Sequence, residues 1–169
     1  MNSRMGTAGL ALAALLAAAG ETRAVEFVIS YVETQHEVRP RQATWNVNKN
    51  LKLKLDGGGA ISEGYTSRNN TGDTANLSGQ GRFRDAMVHG EGNQSSWRVL
   101  DDNTLLRTWT RAQHVETMRV TVSGNTCKAT IAYELKPGFK EYQLPSIRDG
   151  RPLYFTALAA KDIACRAVE

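Results

Sequence analysis

Arg107, Trp109 and Arg111 recur at every second position, with Leu105 ahead of them. In an extended strand, residues two apart share a face. The three would then set an aromatic ring between two guanidinium groups. Such a set can hold an anionic or planar ligand by charge and stacking. The competing account is a Trp packed at a sheet surface with arginine stems laid around it. Arg107, Trp109 and Arg111 are the candidate ligand-binding residues.

Other chemistry-bearing patterns are thinner. His89-Gly90-Glu91 and His114-Val115-Glu116 each place an imidazole and a carboxylate on one strand face. A zinc site normally takes three or four protein ligands, so no metal site is expected from either pair. Ala60-Ile61-Ser62-Glu63-Gly64 is one residue short of the G-x-S-x-G elbow, with Ala60 in place of the first glycine. That motif works on a strand-to-helix turn, and no helical pattern follows here. Asp101 and Asp102 fall in an expected turn, where Asx side chains bond their own backbone. No cofactor motif is present, so no cofactor is expected. These patterns favour binding over catalysis. The alternative is a small hydrolase using Ser62 with His114 or His89.

The elements that would position these residues are strands. Met118, Val120 and Val122 alternate with polar residues, and so do Cys127, Ala129, Ile131 and Tyr133. Gly124-Asn125 between them suits a two-residue hairpin turn. That turn sets Val122 opposite Cys127, Val120 opposite Ala129 and Met118 opposite Ile131, so the apolar faces coincide. Trp97–Leu100 and Thr104–Thr110 form a second expected hairpin. Ala112-Gln113 then leads into a strand from His114.

Earlier in the chain, Val25–Thr34 and Trp45–Leu55 read as strands, separated by a loop at Arg39-Pro40-Arg41. Gly57-Gly58-Gly59 ends the second, and Ala60–Thr66 turns back. Ser67–Gly81 is rich in Ser, Asn, Thr and Gly and is expected to be a long loop. Lys136–Pro152, broken by three prolines, is a second. Leu153–Ala157 and Ile163–Val168 read as strands, and the alanines between them also admit a short helix. The fold class is all-β, an antiparallel meander of about seven to nine strands. An up-and-down barrel is preferred over a sandwich, because consecutive hairpins suit it and closure removes exposed edges.

The first 24 residues have the layout of a secretory signal peptide. Arg4 precedes an apolar run from Ala8 to Ala19, and small residues follow. The run is short of the roughly 20 residues of a spanning helix. Cleavage falls between Gly20 and Ala24, with Ala24 favoured because strand-like sequence starts at Val25. Residues 25–169 then form a single β domain, secreted or periplasmic. In such a compartment Cys127 and Cys165 are expected to pair as a disulfide.

The net charge of +4 is too diffuse for nucleic acid. Lys49, Lys52 and Lys54, with Arg39 and Arg41 near in sequence, read as a solvated strand edge. Aromatic residues do not bracket the strands as girdles, which argues against a transmembrane barrel and stable membrane insertion. The expected function is a soluble, non-catalytic binding protein for a small ligand or an envelope protein. A third reading is an interaction or inhibitory module that docks through Ser67–Gly81.

Overall fold

Alternation with period two becomes a strand when one face is buried, and this chain alternates almost throughout. A computed structural model describes residues 25–56, 60–82, 87–88, 94–101, 103–123 and 126–168. Residues 1–24, where a signal peptide is expected, the glycines 57–59, His89, Glu91, Asp102 and Gly124-Asn125, where a hairpin turn is expected, lie outside the described residues.

The strands are β1 (Val25–Arg39), β2 (Ala43–Leu55), β3 (Ala60–Arg68), β4 (Thr74–Arg82), β5 (Met87–Val88) and β6 (Gln94–Asp101). They continue as β7 (Thr104–Thr110), β8 (His114–Ser123), β9 (Thr126–Leu135), β10 (Tyr142–Pro145) and β11 (Pro152–Val168). Nine of them have seven residues or more. All join one antiparallel sheet in the order β4-β3-β2-β1-β11-β9-β8-β7-β6-β5, with β10 paired to β11. The sheet curls into a half-barrel with a meander, barrel-like course. The one long jump inserts β11 between β1 and β9.

The register of β8 with β9 pairs Val122 with Cys127, Val120 with Ala129 and Met118 with Ile131, as the alternation required. The second hairpin, β6 with β7, also forms, and Gln113 leads into β8 at His114. Cys127 and Cys165 are joined by a disulfide.

Inside the curl, one end is apolar. Phe27, Ile29, Leu51, Leu53, Leu105 and Val120 are buried together there. A fully buried Leu or Ile contributes roughly 1.5–3 kcal/mol relative to exposure. The outward face of β2 carries Asn46, Asn48, Lys52 and Lys54, all exposed. A lipid-facing strand would carry an apolar band there.

Three expectations need correction. Ser67–Gly81 is not a long loop: β4 runs from Thr74 and pairs with β3 from Arg68↔Thr74 to Ala60↔Arg82. Its ladder with β3 holds it along one edge, so it needs little apolar side chain. The connection is a tight turn in which Asn69, Thr71 and Asp73 bond one another. The second loop region contains β10.

The third correction concerns the C-terminal segment. No helix interrupts it; β11 runs unbroken for 17 residues. Its register against β1 slips between Ser30 and Val32, where Asp162 adopts φ 53°. It slips again near His36 and Glu37. Each bulge inserts a residue and reverses which parity faces inward.

Candidate functional site: an internal ion bridge beneath an open cavity

The inward parity of each strand continues past the apolar end into charged residues. On β1 the inward series runs Phe27, Ile29, Tyr31, Glu33, Gln35 and Glu37, all buried. On β8 it runs Val122, Val120, Met118, Glu116 and His114. Buried charge is tolerated only when paired and hydrogen-bonded, and most of these groups are.

Glu63, on β3, takes a two-pronged contact from Arg107, on β7. Arg107 Nε donates to Glu63 Oε2 at 2.9 Å, and Nη2 donates to Oε1 at 2.7 Å. Trp97 Nε1 donates to Oε2 at 2.9 Å. Arg107 Nη1 also lies 3.5 Å from Glu116 Oε1. β3 and β7 are not neighbours in the sheet, so this bridge spans the curl. Burial alone would lower the Arg107 pKa, but the Glu63 hydrogen bonds and charge outweigh it and the net shift is upward.

A second centre surrounds Glu33. Lys49 Nζ sits 3.2 Å from its carboxylate, and Gln35 Nε2 and the Tyr133 hydroxyl donate to it. Burial alone would raise the Glu33 pKa, but Lys49 and these donors hold it below the usual carboxylate range. The Lys49 pKa is raised: burial acts to lower it and the Glu33 charge overrides that. Tyr31 and Tyr65 share a hydroxyl–hydroxyl bond of 2.8 Å. Groups held in this way are fixed in one protonation state near neutrality, which suits a scaffold rather than acid–base work.

Above this layer the half-barrel opens into a cavity of about 930 Å³. Its apolar wall includes Trp45, Val47, Leu144, Leu153 and Tyr154. Six cations also line it: Arg39, Arg41, Lys49, Arg111, Arg148 and Arg151. Five have carboxylate partners, Glu141, Glu37, Glu33, Asp73 and Asp149 respectively. Arg111 has none among the described residues. It is 8% exposed, its Nε has no hydrogen-bond partner, and its guanidinium stacks 4.5 Å from the Trp109 ring centroid.

The three residues singled out by spacing therefore do share a face. The Trp109 ring centroid is 4.2 Å from the Arg107 guanidinium and 4.5 Å from that of Arg111. Arg107 and Trp109 are 1% exposed within the packed interior, and Arg111 alone of the three lines the cavity. The basic region of β2 is divided by parity. Lys49 points inward and is buried, while Lys52 and Lys54 point outward. β2 lies between β1 and β3, so it is not a sheet edge. The expected solvated edge is therefore wrong for Lys49, and the shared parity with Leu51, Leu53 and Leu55 is the signal that marks it as inward. No comparable signal marked Tyr154 or Arg148.

Ser62 and His114 do not meet. Ser62 lines a separate outer hollow with Glu26, Lys52 and Lys54, whereas His114 faces inward and is fully buried. The His114 ring packs edge-on against Tyr142, and neither ring nitrogen has a hydrogen-bond partner among the described residues. Among the described residues no group of three or more His, Cys, Asp or Glu could hold a metal. No helix there is long and apolar enough to cross a membrane.

Burial, and then the Arg111 charge, push the His114 pKa down to about 4. An unfolded histidine titrates near 6.5. Between these values the unfolded chain binds the extra proton, so His114 makes stability fall as pH drops from about 6.5 toward 4. The full loss amounts to at most about 3 kcal/mol. Urea denaturation at pH 7 and pH 4.5 should show most of it in the wild type and a much smaller difference in His114→Leu. An equal slope in both proteins would assign the loss to other groups.

The fold and site together define a class: an antiparallel half-barrel, bolted internally by ion pairs, with an open cation-lined cavity. The chain matches no family model, no curated protein and no solved structure.

Proposed function

We propose that the protein is an exported, non-catalytic binding protein that holds a small amphipathic molecule in the mouth of the half-barrel. The observation that carries this is the cavity. A volume of about 930 Å³ falls in the range of small-molecule sites, and its wall mixes aromatic and aliphatic side chains with a few polar groups. Deeper in the interior Arg107 is committed to Glu63, and Lys49 to Glu33. The polar outward face of β2 and the leader-like N-terminus support a soluble protein delivered outside the cytoplasm. The disulfide supports an oxidising compartment.

Native mass spectrometry of the protein, purified gently from its export compartment, tests the reading. A discrete added mass, lost in a Val47→Trp variant that fills the cavity, is the expected result. A bare mass, with no small molecule recovered by denaturing extraction, would count against it.

A second reading is favoured by one observation. β4 ends the strand order, and a terminal strand can receive a partner's strand by backbone pairing. An envelope protein would then dock along Thr74–Arg82. A proline at Asn76 that left ligand binding intact but abolished capture of that partner would separate the two.

A further inference from the structure

We propose that the ligand is an organic anion whose acid head group, a carboxylate or phosphoryl group, is received by Arg111. This rests on the cavity being a ligand site and adds the chemistry of what enters it. A guanidinium taken from water without a counter-charge is costly, and buried charges in folded proteins are almost always paired. The buried cations Lys49 and Arg107 follow the rule, paired with Glu33 and Glu63, and among the described residues buried Arg111 departs from it. Arg111 is more than nine-tenths buried, its Nε is unsatisfied, and it borders the open volume.

The geometry favours an acid over a neutral polar group. The Arg111 guanidinium lies 4.5 Å and the Arg107 guanidinium 4.2 Å from the Trp109 ring centroid, and the contact with the ring restrains the Arg111 fork. A planar fork held in place is suited to two parallel hydrogen bonds to a carboxylate or phosphoryl group. The two acids in the wall and the nearby Glu33 are already engaged. Asp73 accepts from Arg148, and Asp149 accepts from Arg151. Glu33 is enclosed by Lys49, Gln35 and Tyr133. The apolar part of the molecule would lie against Trp45, Val47, Leu144 and Tyr154.

The test uses three ten-carbon probes that share one tail: decanoate, decyl phosphate and decanol. Their affinities for the purified protein are measured by calorimetry at pH 7.5. Decanoate or decyl phosphate should bind at least about tenfold more tightly than decanol, and which of the two leads identifies the acid. In Arg111→Gln that margin should vanish while decanol binding persists. Arg111→Lys, which keeps charge without the fork, should recover only part of it. Arg148→Gln, at the same mouth but already paired in the wild type, should leave the margin within about twofold.

Thermal melts confirm that each variant is folded. Decanol binding equal to decanoate, or an unchanged margin in folded Arg111→Gln, overturns the assignment and leaves the cavity reading standing. Absence of binding by all three probes, with no native adduct, overturns both.

Discussion

Replacing Glu63 with alanine is expected to destabilise the protein by about 3–5 kcal/mol and lower its Tm by roughly 10–15 °C. The carboxylate accepts from Arg107 and Trp97 inside the curl. Its removal leaves a buried guanidinium with only Glu116 at 3.5 Å and a buried indole N–H that has lost its acceptor. The penalty is that of unmatched buried charge, which exceeds the net worth of the pair itself. Because the bridge joins β3 to β7 across the half-barrel, the loss also loosens the curl.

Glu63→Leu combined with Arg107→Leu should cost less than the sum of the two single changes, since neither partner is then stranded. Urea denaturation at pH 7 reads both results. A Glu63→Ala cost below about 1 kcal/mol would mean that water replaces the carboxylate freely, and that the bridge does not hold the curl.

The same bridge marks where sequence reading reaches its limit. Alternation put Arg107, Trp109 and Arg111 on one face, and the structure agrees. Whether that face meets a cavity or a packed interior depends on Glu63, 44 residues away from Arg107. Local pattern carries no record of that contact. Tyr133 and Glu33 are 100 residues apart and equally invisible.

The β8–β9 hairpin was legible because turn chemistry and the apolar pattern set the register independently. β4 was not, because a terminal strand is held by its ladder and can dispense with apolar residues. β11 was obscured by its bulges. Leu158 and Ala160 are partly buried on one side of Asp162, and Ile163, Cys165 and Ala167 on the other. The inward parity reverses between them, so no single period describes the strand.

Loss of the disulfide is the other large effect expected. Among the described residues β9 and β11 share a single ladder pair, Arg166↔Thr126. Every other neighbouring pair of long strands along the sheet has a run of them. The Cys127–Cys165 bond sits beside that one pair and fastens the seam between two halves, β1–β4 with β11 and β5–β9. Loop-closure entropy for its sequence separation of 38 gives about 4 kcal/mol. Cys127→Ala/Cys165→Ala should therefore melt about 10 °C lower.

Its hydrogen exchange should quicken first at Thr126 and Arg166, not uniformly. An unchanged Tm with protected seam amides would show that interior contacts such as Tyr133–Glu33 hold the halves together unaided. The seam also divides the cavity. Trp45 and Tyr154 belong to one half, and Arg111 extends from the other. An opened seam separates the anion-binding fork from the apolar wall, so apparent affinity falls with the fraction opened. Binding would then depend on the bond staying oxidised. That dependence ties the export reading, made from the N-terminus alone, to the geometry of a cavity at the far end of the strands from Val25 and Cys127.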